Sequence, residues 1–245
     1  MPVAPPRRLI ADLGMSEGND TAYYLAKGFE VVGVEADPTV QPHLQRRFAA
    51  EIADRRLHLL HRAADARGSE WRPFYHDLAE QGHSSLERAG RDRVTVFDVF
   101  TLDWLELREV AGVPYYLKLD IQGTEPDFLA SMAVGGELPA FVSAEVATFR
   151  PIRQLFDLGY RHFRLINHAI LGHLTLPDPP LEGDYVARPA PYHWSGPFGR
   201  ETPGARWHGF EEIRAIYDDV HRLWQVGTLF TGWLDCHAAR PEAVG

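Results

Sequence analysis

The chain has 245 residues, 45% of them hydrophobic and 24% charged, with a net charge of -9 and an isoelectric point near 5.7. These are ordinary values for one globular domain, or one domain with an elaborated end, and they exclude wholesale disorder. The acidic balance, with only the short basic pairs Arg46-Arg47 and Arg55-Arg56, weighs against nucleic acid as a partner, because phosphate neutralisation dominates such binding.

The single cysteine, Cys236, allows no intramolecular disulfide. That fits a reduced, cytoplasmic protein. The N-terminal stretch carries no apolar run of signal-peptide length, and nothing approaches the roughly 20 apolar residues of a membrane span. A soluble cytoplasmic protein with no membrane partner is expected. The sequence implies no oligomeric state.

In chain order, residues 8–13 form a short apolar run ending at Gly14, read as a strand. Residues 21–27 read as a helix with Asn19 or Asp20 as N-cap. Residues 29–35, rich in valine, read as a strand that stops at Asp37-Pro38. A helix over 41–53 and a short strand over 57–61 follow. Two strands, 71–75 and 93–100, then flank a polar stretch that contains Gly82, Ser84 and Ser85. A helix over 102–110, a strand over 115–120, a helix from about 124 to 132 and a strand over 140–146 come next. A helix over 151–158, closed by Gly159, leads into a strand over 162–166. Strands alternating with helices of this length predict a mainly parallel sheet with right-handed crossovers. Runs such as VVGV fit strands buried on both faces.

The tail differs. Residues 177–203 hold seven prolines together with Tyr185, Tyr192, His193, Trp194 and Phe198. An irregular segment of this length in a compact domain is a lid or a linker, and its aromatic content favours an ordered segment. Residues 210–224 read as an amphipathic helix with Ile213, Ile216, Tyr217, Val220, Leu223 and Trp224 as its apolar face. The expected organisation is a core over 1–175 and an extension over 176–245 that packs on it, either as an acceptor lid or as simple packing on the sheet, and is no independent domain.

The informative stretch is the turn between the first strand and the first helix, Asp12-Leu-Gly14-Met-Ser16-Glu-Gly18-Asn-Asp20. Open α/β sheets bind ligands at the carboxyl ends of their strands, where strand order reverses. Glycine admits close backbone approach there, and a helix N-terminus supplies free N–H donors. Glu35 lies 23 positions after Asp12, at the end of the second strand, the place of an acid that binds ribose hydroxyls. A dinucleotide asks for G-x-G-x-x-G. Here the spacing is G-x-x-x-G, with Ser16 in place of the second glycine. The looser turn favours S-adenosylmethionine, which has no phosphate, over NAD. Asp12, Gly14, Ser16, Gly18 and Glu35 are the candidate cofactor residues. Asp65, after the third strand, is a candidate for the adenine amino group or a helix cap, and Ser84 is a weaker candidate.

From Val94 onward the residues resemble the FkbM-type methyltransferases. The matching pieces are VTVFDVFTLDWL (94–105), YLKLDIQGTEPDFL (116–129), the strand with Ser143-Ala-Glu145, and LFDLGYRHFRL (155–165). The glycine turn and the His83-Ser-Ser-Leu86 loop are similar as well, so the resemblance covers about residues 9–166. It implies a Rossmann-like class I methyltransferase fold, S-adenosylmethionine as cofactor, and methyl transfer to a hydroxyl on a small molecule, sugar or secondary metabolite. The rival readings are an NAD(P)-dependent oxidoreductase and a non-catalytic cofactor-binding domain.

Methyl transfer asks the protein to align a nucleophile at about 3 Å and exclude water, and a hydroxyl nucleophile also needs a base. Lys118 and Asp120 frame the end of the fourth main strand and are the candidate catalytic pair, Asp120 as base or acceptor-positioning group, or else as a helix cap. Lys118 lies in an apolar strand and needs an acid, for which Glu145 is the candidate. No metal site is expected, although Asp120 and Glu145 could supply oxygen ligands. His83, His168, His173 and His193 are further candidates for the base.

Overall fold

The computed structural model describes residues 8–79, 84–88, 93–134, 136–187, 194–227 and 232–244. The chain opens with β1 (Leu9–Leu13), α1 (Asn19–Ala26), β2 (Glu30–Glu35), α2 (Gln41–Arg47), α3 (Ala49–Ala53) and β3 (Leu57–His61). The split between α2 and α3 departs from the continuous helix expected over 41–53. Phe48 leaves helical geometry, with φ -110 and ψ 23, and its buried ring packs against Gly18. A side excursion follows. β4 (Ala63–Ala64), β5 (Trp71–Asp77) and β6 (Val94–Leu102) form a three-stranded sheet in the order β4-β6-β5. The chain returns through α4 (Trp104–Ala111), which starts at an Asp103/Glu106 capping box. It continues with β7 (Tyr116–Leu119), α5 (Glu125–Ser131), β8 (Phe141–Glu145), α6 (Arg150–Asp157), β9 (His162–Asn167), α7 (Phe210–Gln225) and β10 (Leu234–Ala239).

The main sheet has seven strands in the order β3-β2-β1-β7-β8-β10-β9. β1, β2, β3, β7 and β8 run parallel, while β10 pairs antiparallel with both β8 and β9. The tail therefore contributes more than a cover, since its last strand is built into the sheet. LDCHAA has no β-branched residue and little alternation, which is why propensity gave no strand signal there. Strand order reverses between β1 and β7, and open α/β sheets take their ligands at the carboxyl ends of strands at such a point.

Alternation across these strands divides the interior. Ala11, Leu13, Leu117, Leu119, Val142, Ala144, Cys236 and Ala238 face α4, α5, α6 and α7. Ile10, Tyr116, Phe141 and Ala239 face the other way, toward α1 and the segment after residue 193. On that second face α1 alone cannot cover the half of the sheet beyond β7. Trp194 and Phe198 fill the gap. Trp194 sits edge-on to Tyr23 at 5.2 Å, and Phe198 stacks on Tyr116 at 5.0 Å with its edge toward Tyr24 at 5.1 Å. Trp194 and Phe198, in the Pro/Gly-rich segment, are thus buried against that face of the sheet. Tyr192 and His193 lie outside the described residues.

α7 begins as expected, with Phe210, Ile213 and Tyr217 buried. Its apolar face does not stay covered, because Leu223 and Trp224 are exposed. Among the described residues, no helix is long and apolar enough to cross a membrane.

Candidate functional site

The even positions of β1 and β7 bring a polar row into the interior. Asp12 stands opposite Lys118 in the parallel register, Lys118 opposite Ser143, and Ser143 opposite His237. The Lys118 ammonium is 3.2 Å from Asp12 Oδ1, 3.3 Å from Asp20 Oδ2 and 3.7 Å from Asp120 Oδ2. Its partners are these three acids and not Glu145, which had been the expected one. The reason is α1, which carries Asp20 over the β1–β7 junction, while Glu145 lies one strand further on. Burial alone would depress Lys118, but the carboxylates outweigh it and hold its pKa well above the ordinary lysine value. Burial, reinforced by the charge of Asp12 and opposed by Lys118, raises Asp20. One ammonium thus faces three carboxyl groups.

The turn after β1 is shaped by backbone geometry. Gly14, Ser16 and Gly18 all have positive φ, at 78, 49 and 83. A Cβ at Gly14 would overlap the carbonyl oxygen of Asp120, so only glycine fits there. Lys118 Nζ donates to the Gly14 carbonyl at 3.4 Å, and the Gly14 N–H donates to Val34 O at 2.9 Å. Gly18, and neither Asn19 nor Asp20, is the N-cap of α1. Asp20 is instead committed to Lys118 and to Ser195, whose N–H and Oγ donate to it at 2.9 and 2.8 Å. Thr21 Oγ1 donates to Asp12 at 2.7 Å.

Glu35 closes β2 as a buried carboxylate that accepts the N–H groups of Ser16 and Asp37, each at 2.7 Å. Burial pushes its pKa up to about 7, against the lowering effect of those donors. Two accepted bonds leave lone pairs on both oxygens. Asp37 in turn pairs with His76 at 2.6 Å, and His76 Nδ1 is 3.5 Å from Ser84 Oγ, which accepts the Asp77 N–H at 3.0 Å. Ser84 thus joins the chain of contacts that leads to Glu35. Asp65 does not. It is buried between the Arg67 and Arg72 guanidiniums and accepts the Arg67 N–H. It caps no helix, since β5 follows it.

Beyond β7 lies a second acidic group. Asp120, Glu125 and Glu145 bring carboxylate oxygens within 4.8 Å of one another. Glu125 caps the turn before α5 by accepting the Ile121 and Gly123 N–H groups at 2.8 and 2.9 Å. That frees Asp120 from the capping role considered for it. Gln122, at φ 58, donates to Asp120 at 2.8 Å and to Glu145 at 3.4 Å. Burial first, and then the neighbouring carboxylates, push Glu145 up to about 8. Burial likewise carries Glu125 to about 7. Three such acids can hold a cation, which goes beyond the two-carboxylate reading of the sequence.

Sequence reading missed Asp20, Gln122 and Asp235. An acid in the first turn of a helix reads as a complement to its dipole, and a glutamine between strand and helix reads as loop, so neither carried a separate signal. Of the candidate bases, His168 lies at the carboxyl edge, paired with Asp235 at 2.8 Å. His173 is exposed on the short 3-10 helix His168–His173. His83 and His193 lie outside the described residues.

Residues 12–162 match the Methyltransferase FkbM domain, and that span is well over half of the chain. The chain belongs to this family. Its mainly parallel sheet flanked by helices is a Rossmann-like α/β fold, and the family is one of methyltransferases. Among relatives, a 53-residue stretch is 45% identical to a protein of Methanospirillum hungatei JF-1 named as a ribosomal RNA small subunit methyltransferase A. The match spans only 22% of this chain and 21% of that protein. Among solved structures, the precorrin-6Y C5,15-methyltransferase of Geobacter metallireducens GS-15 aligns over 66% of this chain and 68% of its own, at 10% identity and a TM-score of 0.38. The C-terminal domain of the Rhodobacter capsulatus enzyme of the same name aligns over 97% and 83%, at 11% identity and a TM-score of 0.41. The StiE O-MT structure aligns over 96% of this chain and 68% of its own, at 8% identity and a TM-score of 0.44.

Proposed function

We propose that this FkbM-family protein transfers a methyl group from S-adenosylmethionine to a hydroxyl of a small molecule such as a sugar or secondary metabolite. The carrying observation is charge. Asp12, Asp20 and Asp120 outnumber Lys118 under the β1–α1 turn, and Glu35 stands at the next strand end. A sulfonium cation is stabilised by such surplus negative charge, whereas the pyrophosphate of a dinucleotide would be repelled by it. The turn is compatible with this reading, because Gly14, Ser16 and Gly18 take the positive φ that folds it tightly over the end of β1.

The bound cofactor would supply an electrophilic methyl on a positively charged sulfur. Glu35 would accept ribose hydroxyls through its free lone pairs. The turn from Gly14 to Gly18 would hold the amino-acid end, kept in place from below by Lys118. Lys118 is therefore an organiser of the turn, one step back from the reacting atoms. Asp120, next along the edge and itself held by Lys118 and Gln122, would stand beside the acceptor oxygen and help orient it for in-line attack. Burial raises Glu125 to about 7 and Glu145 to about 8, which lessens the negative charge beside Asp120 at neutral pH. A neutral small molecule suits this acidic site and the net charge of -9 better than a polyanion does. The single cysteine, buried in β10, fits a reducing compartment, and the cytoplasm is the proposed location.

The test is calorimetric titration with S-adenosylhomocysteine, with NAD and NADP as controls, followed by a panel of hydroxylated acceptors with S-adenosylmethionine. Micromolar binding of the homocysteine compound alone, then turnover of a neutral alcohol or phenol, is the expected result. Preference for a dinucleotide, or turnover confined to RNA, would overturn the proposal.

A further inference from the structure

β10 enters the sheet antiparallel, so its first residues lie at the carboxyl edge, beside the ends of β8 and β9. Asp235 stands directly opposite Glu145 on one side and Ile166 on the other. Directly opposed residues of an antiparallel pair point to the same face. Asp235 therefore shares the face of Glu145, and Glu145 shares the acidic group of Asp120 and Glu125. The residue that follows β9 is His168. Its Nε2 is 2.8 Å from Asp235 Oδ2, and its backbone N–H donates to the Trp233 carbonyl at 3.1 Å. The Trp233 ring lies 4.7 Å from the imidazole, tilted by 37°. Hydrogen bond, backbone anchor and ring contact hold the imidazole in one orientation.

We infer that His168, positioned by Asp235, is the base that removes the proton of the acceptor hydroxyl. The inference rests on the hydroxyl-acceptor reading above. Asp235 is a buried carboxylate. Burial would raise its pKa, but the charge and hydrogen bond of His168 lower it below the ordinary aspartate value, so it stays ionised and accepts. Nε2 then carries the proton of the neutral imidazole, which leaves the lone pair on Nδ1. Nδ1 has no hydrogen-bond partner among the described residues. In the transfer, the acceptor oxygen forms a bond to the methyl carbon as the carbon–sulfur bond breaks. The sulfur keeps that bond's electron pair. The hydroxyl proton passes to Nδ1, giving an imidazolium stabilised by Asp235, and later leaves to water.

The other acids of the site are less suited. Glu145 already holds a proton at neutral pH, pushed up to about 8 by burial, and Asp120 is taken by Lys118 and Gln122. The charged groups around His168 are Asp235 and His237 on β10, Asp120 after β7, and Asp20 on α1. Burial opposes protonation of His168, yet the three carboxylates raise its pKa above the ordinary histidine value. A base of that kind is in its active, neutral form above its own pKa, so the rate should climb as pH rises through it.

The experiment has two arms on the full chain. In the first, the His168 imidazole signal, identified by its loss in His168→Asn, is titrated by NMR in the wild type and in Asp235→Asn. The midpoint should lie above 6.5 in the wild type and fall in Asp235→Asn, because the carboxylate that stabilises the imidazolium is gone. An equal midpoint in both overturns the inference. In the second, both variants are assayed on the alcohol or phenol turned over in the acceptor panel. His168→Asn should lose about 10²–10⁴-fold in kcat and keep the wild-type affinity for S-adenosylhomocysteine. Asp235→Asn should move the acidic limb of the pH–rate profile to lower pH. Retention of kcat within threefold in His168→Asn would rule out the base role. If no acceptor turns over in the wild type, the hydroxyl-acceptor reading fails by itself and the titration still decides the His168–Asp235 pair.

Discussion

Replacing Lys118 with methionine is the sharpest test of the acid cluster. The ammonium sits within 3.2 to 3.7 Å of three carboxylates, and Asp12 is 0% exposed and Asp20 5%. Removing one partner of a buried ion pair typically costs about 3–5 kcal/mol, because the remaining charge is left without compensation. The cost has a ceiling here. A stranded aspartate can take up a proton instead, and holding a proton on a group of ordinary pKa near 3.9 costs about 1.4 kcal/mol for each pH unit above it. That gives about 4 kcal/mol at pH 7 and about 1.5 kcal/mol at pH 5. The sign follows directly. In Lys118→Met the folded-state aspartate pKa lies above the unfolded value, so the variant keeps its stability at low pH and loses it as pH rises. Urea unfolding followed by tryptophan fluorescence, for wild type and variant at pH 5 and pH 7, measures the difference. The expected gap is large at pH 7 and less than half as large at pH 5. A gap below about 1 kcal/mol, or one equal at the two pH values, would refute the reasoning, since neither fits a buried charge cluster.

Three further outcomes are expected. Glu35, raised to about 7 by burial, should bind ribose hydroxyls in its ionised form, so S-adenosylhomocysteine should bind more tightly to the wild type at pH 8.5 than at pH 6. Glu35→Gln should bind about 10- to 100-fold more weakly at the higher pH, the worth of a charged hydrogen bond, and calorimetry should find its affinity flat with pH. Glu145→Gln should be more stable than the wild type, with a gap that opens from about pH 4.5 and levels off above about 8. The folded wild type keeps a proton there that the unfolded chain has already released, and thermal melts at pH 4, 7 and 9 would reveal it. Phe198→Ala should cost about 3–5 kcal/mol, because Phe198 is fully buried against Tyr23, Tyr24, Phe29 and Tyr116. A loss below 1 kcal/mol on denaturant unfolding would mean that the segment after residue 193 is only a surface strap.

The sequence by itself determined the parts that are local. β1, the glycine turn, β2 and Glu35 were legible because each is a few residues long and each geometry has its own residue type. Valine runs make doubly buried strands, glycine supplies positive φ, and an acid at a strand end faces the crevice. The KLDIQGTE string gave the family in the same way. What only the tertiary structure decided are the partners across elements. Lys118 announced that it needed an acid, but Asp12, Asp20 and Asp120 were selected by the β1–β7 register and by where α1 crosses the sheet. Asp65 was legible as an acid after the third strand, but its partner Arg72, on the edge of a second small sheet, was not. β10 carried no strand signal, because its pattern makes sense only between β8 and β9, where both faces are buried. His168 and Asp235 are 67 positions apart, and only the antiparallel entry of β10 brings them together. Hydrogen bonds and ion pairs act over about 3 Å of space regardless of distance along the chain, so a sequence can name the groups that must be paired and leave the choice of partner to the fold.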